Sequence, residues 1–97
     1  NKYAQVTTID DFTPRHGLDA TQLIELFSWS EEEFLRRTEG SAIRRLGYER
    51  WLRNIAVALG NAPRDKKVVA ALSTRITHAS VLVREHVQWG LKAKYQA

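Results

Sequence analysis

From Tyr48 onward, the apolar residues Trp51, Leu52, Ile55 and Leu59 follow at distances of 3, 4, 7 and 11 positions, with Arg50, Arg53 and Asn54 on the other side. That spacing is one apolar stripe of a helix with 3.6 residues per turn, and it fits no strand, whose side chains alternate with a period of two. A single amphipathic helix is marginal in water, so this stripe must be covered by other helices. The neighbouring segments supply them. Asp19 is placed to cap a short helix carrying Leu23, Ile24, Leu26 and Phe27, with Trp29 just beyond it. Ser30-Glu31-Glu32-Glu33 reads as a capping box, the Ser30 hydroxyl taking the Glu33 amide hydrogen while Glu33 reaches back. Gly40 ends that helix, and Ser41 opens a longer segment to Leu59, closed by Gly60-Asn61 and Pro63, in which Gly47 is a candidate break.

Two further helices complete the pattern. One runs from about Asp65 to Ile76, with Val69, Leu72 and Ile76 turned inward and Lys66, Lys67 and Arg75 outward or at its ends. The last runs from about Ala79 to Lys94 and has two apolar faces, one of Val83, Val87, Gly90 and Leu91 and one of Leu82, His86 and Trp89, as expected for a helix packed between neighbours. Residues 1–18, with Pro14 and Gly17, read as an irregular lead-in, and no segment carries strand periodicity. At 97 residues the chain supports one core. The expected fold is all-α, with about five helices in the domain 19–97.

Chemistry narrows next. With no cysteine there is no disulfide, thiolate metal site, cluster ligand or cysteine nucleophile in this chain. His16, His78 and His86 share no helix face at ligand spacing, and His86, among apolar positions, is expected in the core. Glu31, Glu32 and Glu33 splay around their helix, so they read as dipole-stabilising residues and not as a paired-carboxylate site. The rings of Trp29, Trp51, Trp89 and Tyr48 are of the kind that stacks on unpaired bases, but Tyr48 and Trp51 lie on the apolar stripe and read as core, and none of the four is read as a base-reading residue. No apolar run approaches a membrane span, and the start, Asn1-Lys2-Tyr3-Ala4-Gln5, is neither a signal nor a methionine start, which reads as a piece of a longer soluble protein.

Charge is unevenly placed. Residues 1–40 hold four basic and eight acidic side chains, whereas residues 41–97 hold eleven Lys and Arg against Glu49, Asp65 and Glu85, a balance of +8. Such a field attracts polyanions, nucleic-acid backbones among them, although plain solubility is served as well. Lys66 and Lys67 sit in the first turn of their helix, where they oppose its dipole, a placement that favours a nearby anion. A weak internal repeat joins Leu52-Arg53-Asn54-Ile55-Ala56-Val57-Ala58-Leu59-Gly60 to Val83-Arg84-Glu85-His86-Val87-Gln88-Trp89-Gly90-Leu91 at an offset of 31, slipping by one at the end. The pairing resembles HEAT-like repeats, whose stacked helix pairs leave an extended surface for a partner.

A sharper resemblance lies in residues 39–62, Glu39-Gly40-Ser41-Ala42-Ile43-Arg44-Arg45-Leu46-Gly47-Tyr48-Glu49-Arg50-Trp51-Leu52-Arg53-Asn54-Ile55-Ala56-Val57-Ala58-Leu59-Gly60-Asn61-Ala62. Upstream stands Glu25-Leu26-Phe27-Ser28-Trp29-Ser30-Glu31, downstream Val83-Arg84-Glu85-His86-Val87-Gln88-Trp89, in the same order. Together they resemble the C-terminal HEAT-like region of the epoxyqueuosine reductases, and Asn1-Lys2-Tyr3-Ala4 resembles the residues after that family's Cys-Pro-Trp cluster motif. The resemblance implies a HEAT-like repeat in a short right-handed solenoid, with residues 1–18 following a ferredoxin-like cluster domain upstream. It also implies a cytoplasmic parent enzyme that reduces epoxyqueuosine at the wobble position of tRNA with cobalamin and two four-iron four-sulfur clusters, none held in this chain. The expected partners are then the tRNA anticodon arm and the N-terminal catalytic domains of the same parent chain, with no membrane. The expected phosphate contacts are Arg44, Arg45, Arg50, Arg53, Lys66, Lys67 and Arg84, since guanidinium forks pair phosphate oxygens bidentately. Arg53 and Arg84 occupy the recurring arginine of the repeat, where a structural pairing with a carboxylate is the equal alternative. For the whole chain the alternative is a protein-interaction module with a basic face.

Overall fold

Six helices form among residues 19–95, the part of the chain that the computed structural model describes, and no strand does. They are α1 (Ala20–Phe27), α2 (Glu31–Arg37), α3 (Ile43–Leu46), α4 (Tyr48–Asn61), α5 (Lys66–Ser73) and α6 (Val81–Tyr95). The count exceeds the expected five because Gly47 takes φ +92°, a conformation that side-chain-bearing residues rarely adopt, and so cuts α3 away from α4. The irregular reading of residues 1–18 lies outside the described residues.

Caps follow the sequence with one exchange. Asp19 and Gln22 make the reciprocal box, the Gln22 amide donating to Asp19 Oδ1 at 2.9 Å and the Asp19 amide to Gln22 Oε1 at 3.0 Å. At α2 only half of the expected box forms. Ser30 Oγ accepts the Glu33 amide at 3.1 Å, but the Glu33 carboxylate turns forward to Arg36 and Arg37. Two guanidinium groups at i+3 and i+4 outcompete one backbone amide. The hydrogen bonds from Arg37 and then Arg36 lower the Glu33 pKa below its ordinary value.

Packing places α4 at the centre. It meets α6 along its length, and α1 and α5, which touch one another, lie across this pair. The two long helices run parallel. Glu49 at the start of α4 accepts the hydroxyl of Ser80, which caps α6, and Lys94 near the end of α6 donates to the carbonyls of Gly60 and Ala62 at the end of α4. Between those ends the backbones approach closely: a Cβ added at Gly60 would stand 3.0 Å from Gly90 Cα.

The core centres on Trp51, which is 1% exposed. Its ring stacks on Trp29 at 5.3 Å, meets Phe34 at 5.2 Å with a 51° tilt, and its indole N–H donates to the Leu26 carbonyl. Trp51 and Tyr48 thus belong to the packing, Tyr48 half-buried and donating to the Trp29 carbonyl.

Several expectations about facing are corrected or refined. The inward stripe of α5 is Val68, Ala71 and Leu72, and Val69 is only half-buried. The helix stops at Ser73, so Ile76 falls in the following turn and is 41% exposed. Arg75, expected outward or at an end of this helix, lies just past its C-terminal end and is turned inward: Nη2 donates to the carbonyls of Phe27 and Trp29 at 3.0 and 2.9 Å, closing the C-terminus of α1. The second apolar face of α6 is only partly covered: Leu82 is half-buried, and Trp89, whose ring edge meets α4 at Gly60, is still 45% exposed. His86 is half-buried there, its Nδ1 spent on Leu82 O of its own helix, and is no core residue.

Candidate nucleic-acid interface

Ile43 is buried and anchors α3, while the Ser41 hydroxyl accepts its amide at 3.2 Å. This short, tethered turn leaves Arg44 and Arg45 exposed, and with Gly40, Ser41 and Ala42 they line an open concavity. Among the described residues neither guanidinium is in an ion pair, whereas Arg36 and Arg37 are both bound to the Glu33 carboxylate.

The other expected phosphate ligands fall into three groups. Arg50 is exposed and Arg53 half-buried on the outward stripe of α4, which continues through Val57 to Asn61. Arg53 Nε donates to Asn54 Oδ1 at 2.8 Å, so its oxygen partner is neutral. Lys66 and Lys67 are exposed in the first turn of α5, which Asp65 caps by accepting the Lys67 amide at 2.7 Å. Since α5 follows α4 after a short connection, this pair stands at the far end of α4 from Arg44 and Arg45, roughly 20 Å away for a helix of 14 residues. Arg84 stands apart. Its Nη1 donates to the carbonyls of His78 and Ala79, the latter at 3.1 Å, and it holds the α5–α6 turn.

Three polar side chains carry structure that no local pattern foretold. Lys94 is 4% exposed, and burial lowers its pKa; its ammonium satisfies carbonyls that the end of α4 leaves open. Asn54 is buried with its Nδ2 lacking a hydrogen-bond partner. His78 accepts the Ser80 amide on Nδ1 at 3.0 Å, beside Tyr48, Arg75, Arg84 and Glu49.

That bond requires an unprotonated Nδ1, and burial, followed by the charge of Arg75, lowers the His78 pKa below 6.5. The unfolded chain therefore takes up this proton first on acidification. His78 leaves stability undiminished above pH 6.5 and subtracts from it as the pH falls from 6.5 to the lower folded value. His78→Asn, whose Oδ1 accepts the same amide without titrating, is expected to flatten the fall of Tm between about pH 7 and 5; an unchanged pH profile in thermal melts counts against it.

The described residues thus form a small all-helical domain with basic, outward-facing side chains at both ends and along one stripe of its central helix. None of its helices is long and apolar enough to cross a membrane. Over nearly its whole length the chain is similar to proteins named epoxyqueuosine reductase. It is 61% identical over 92 residues to the one from Pseudomonas aeruginosa, covering 95% of this chain and 26% of the relative. Against that from Xanthomonas campestris pv. campestris it is 62% identical over 91 residues, 94% of this chain and 26% of the relative. The Escherichia coli K12 protein is 58% identical over 91 residues, 94% of this chain and 24% of the relative. The chain therefore spans about a quarter of the length of these relatives. No family model matches it. No solved structure matches it.

Proposed function

We propose that this chain is the tRNA-docking part of an epoxyqueuosine reductase, a cytoplasmic enzyme that reduces epoxyqueuosine to queuosine at the tRNA wobble position. That chemistry uses cobalamin and two four-iron four-sulfur clusters, which this reading assigns to the rest of the parent enzyme; the clusters take cysteine ligands, and this chain has no cysteine. Its task is to hold the anticodon arm while the N-terminal catalytic domains of the parent chain act on the base. An enzyme working on a nucleotide in a loop must grip the surrounding stem and expose its target.

The domain from residue 19 onward is HEAT-like, in a short right-handed solenoid. Parallel α4 and α6 support this reading, since Glu49 and Ser80, which meet at their starts, are separated by the same 31 residues as the internal repeat.

The observation that carries docking is the pair Arg44 and Arg45, adjacent and exposed on a tethered turn, with no carboxylate partner among the described residues. If ~4 to 6 phosphates are neutralised, log affinity for an anticodon-arm hairpin falls against log salt with a slope of roughly −3 to −5. Arg44→Ala with Arg45→Ala is expected to reduce the magnitude of that slope by about 2 and to leave unfolding free energy within about 1 kcal/mol. Salt titrations and urea melts check both. Absent or salt-insensitive binding supports the protein-interaction module instead, and a large loss of stability shows the pair to be scaffold.

A further inference from the structure

The chain has three tryptophans, and the fold accounts for two of them. Trp51 is sealed in the core with its N–H bonded, and Trp29 stacks on it. Trp89 is different. Nearly half of it is exposed, and it makes no hydrogen bond among the described residues. Its six-membered ring nevertheless rests tightly on α4, because Gly60 leaves room there: a Cβ at that position would lie 2.5 Å from Cζ3 and 3.0 Å from Cε3. Glycine inside a helix costs about 1 kcal/mol relative to alanine. At this position it lets the indole lie against the backbone, which limits the ring's motion while much of its surface stays open to solvent.

The surroundings are cationic and polar. Lys92, one turn further along α6, is exposed, and Lys66 and Lys67 follow Gly60 after the 62–65 connection. Gln88, the residue before Trp89, is exposed, and Glu85, one turn earlier on α6, is an exposed carboxylate. An apolar protein partner is favoured by a contiguous apolar patch, whereas one turn from the ring along α6 stand the exposed charges of Glu85 and Lys92. A flat aromatic ring held against a helix, with an exposed lysine one turn along and two more in the first turn of the following helix, is the arrangement that holds an unpaired base by stacking while cations neutralise its backbone.

We infer that Trp89 is a stacking platform for an unpaired base of the bound RNA, with Lys92, Lys66 and Lys67 contacting the adjoining phosphates. The inference rests on the docking function proposed above and adds to it a contact that reads single-stranded character. A duplex keeps its base faces internal, so only a loop or splayed nucleotide presents the π surface this ring needs.

The test titrates the 97-residue chain with an anticodon-arm hairpin and with a blunt duplex of matched length, across a range of salt. Trp89→Ala is expected to weaken hairpin binding by about 5- to 100-fold, the range of one lost stacking contact, with the salt slope and the duplex affinity unchanged. Trp89→Phe is expected to retain most of the hairpin affinity. In the unsubstituted chain, hairpin binding is expected to quench indole emission and to shield it from acrylamide, and the Trp89→Phe variant to lose that response. Thermal melts establish that each variant is folded. Equal hairpin affinity in a folded Trp89→Ala variant overturns the inference; so does acrylamide access to Trp89 that the hairpin leaves unchanged, a readout that stands even if Trp89→Ala does not fold. Hairpin binding with the full salt slope but indifferent to Trp89 removes this inference alone. No hairpin binding by the unsubstituted chain removes the docking function with it.

Discussion

Trp51→Ala is expected to lower the unfolding free energy by about 3–5 kcal/mol, the usual loss when a large buried aromatic is truncated. Three contacts go at once: the stack on Trp29, the tilted contact with Phe34 and the hydrogen bond to the Leu26 carbonyl. The Leu26 acceptor lies at the end of α1 and Phe34 on α2, so the substitution also loosens the attachment of both helices to α4. A domain of this size holds about 5–15 kcal/mol in total, which puts the variant near the limit of folding at physiological temperature. Urea denaturation read by far-ultraviolet circular dichroism measures it through the midpoint, with Trp51→Phe as the smaller step. A loss below about 1 kcal/mol is incompatible with a core centred on this ring.

Gly60→Ala is the second large effect, and its sign opposes helix propensity. In an open helix the change stabilises by about 1 kcal/mol. In this fold the new methyl meets Trp89 Cζ3 at 2.5 Å and Gly90 Cα at 3.0 Å, and the expected net result is a loss of about 1–3 kcal/mol. The two obstacles differ in kind. The half-exposed indole is a side chain that gives way by losing its seat on Gly60, whereas Gly90 Cα is backbone of α6 and moves only if the helix does. Trp89→Ala in the Gly60→Ala background therefore recovers only part of the loss, and a double-mutant cycle separates the ring from the backbone. Stabilisation by Gly60→Ala alone excludes the close parallel approach of α4 and α6.

The elements of the fold were legible because their signals are local. Asp19 with Gln22, Ser30 with Glu33, the break at Gly47 and the stripe from Tyr48 to Leu59 act between residues three or four apart or within one residue's own backbone. The cationic candidates were legible in identity and, for Arg44, Arg45, Arg50, Lys66 and Lys67, in exposure. The inward face of α5 was misjudged by one position, because Val68 and Val69 both fall at helical spacing from Leu72, and which of them is buried depends on where α1, α4 and α6 lie. Arg84 was legible as an arginine of the repeat but not as the donor that holds the α5–α6 turn.

Sequence alone determined that the chain is helical, where most helices begin and end, and that its positive charge is concentrated after residue 40. Tertiary structure alone decided that Arg75 closes α1 across 48 residues, that Lys94 is buried against Gly60 across 34, and that Trp89 stays open while Trp51 is sealed. The reason is the range of the forces involved. Helix periodicity and capping are settled within a turn or two of the chain. Whether a side chain loses its water depends on what a remote segment brings against it, and here that is set by how closely two glycines allow α4 and α6 to approach.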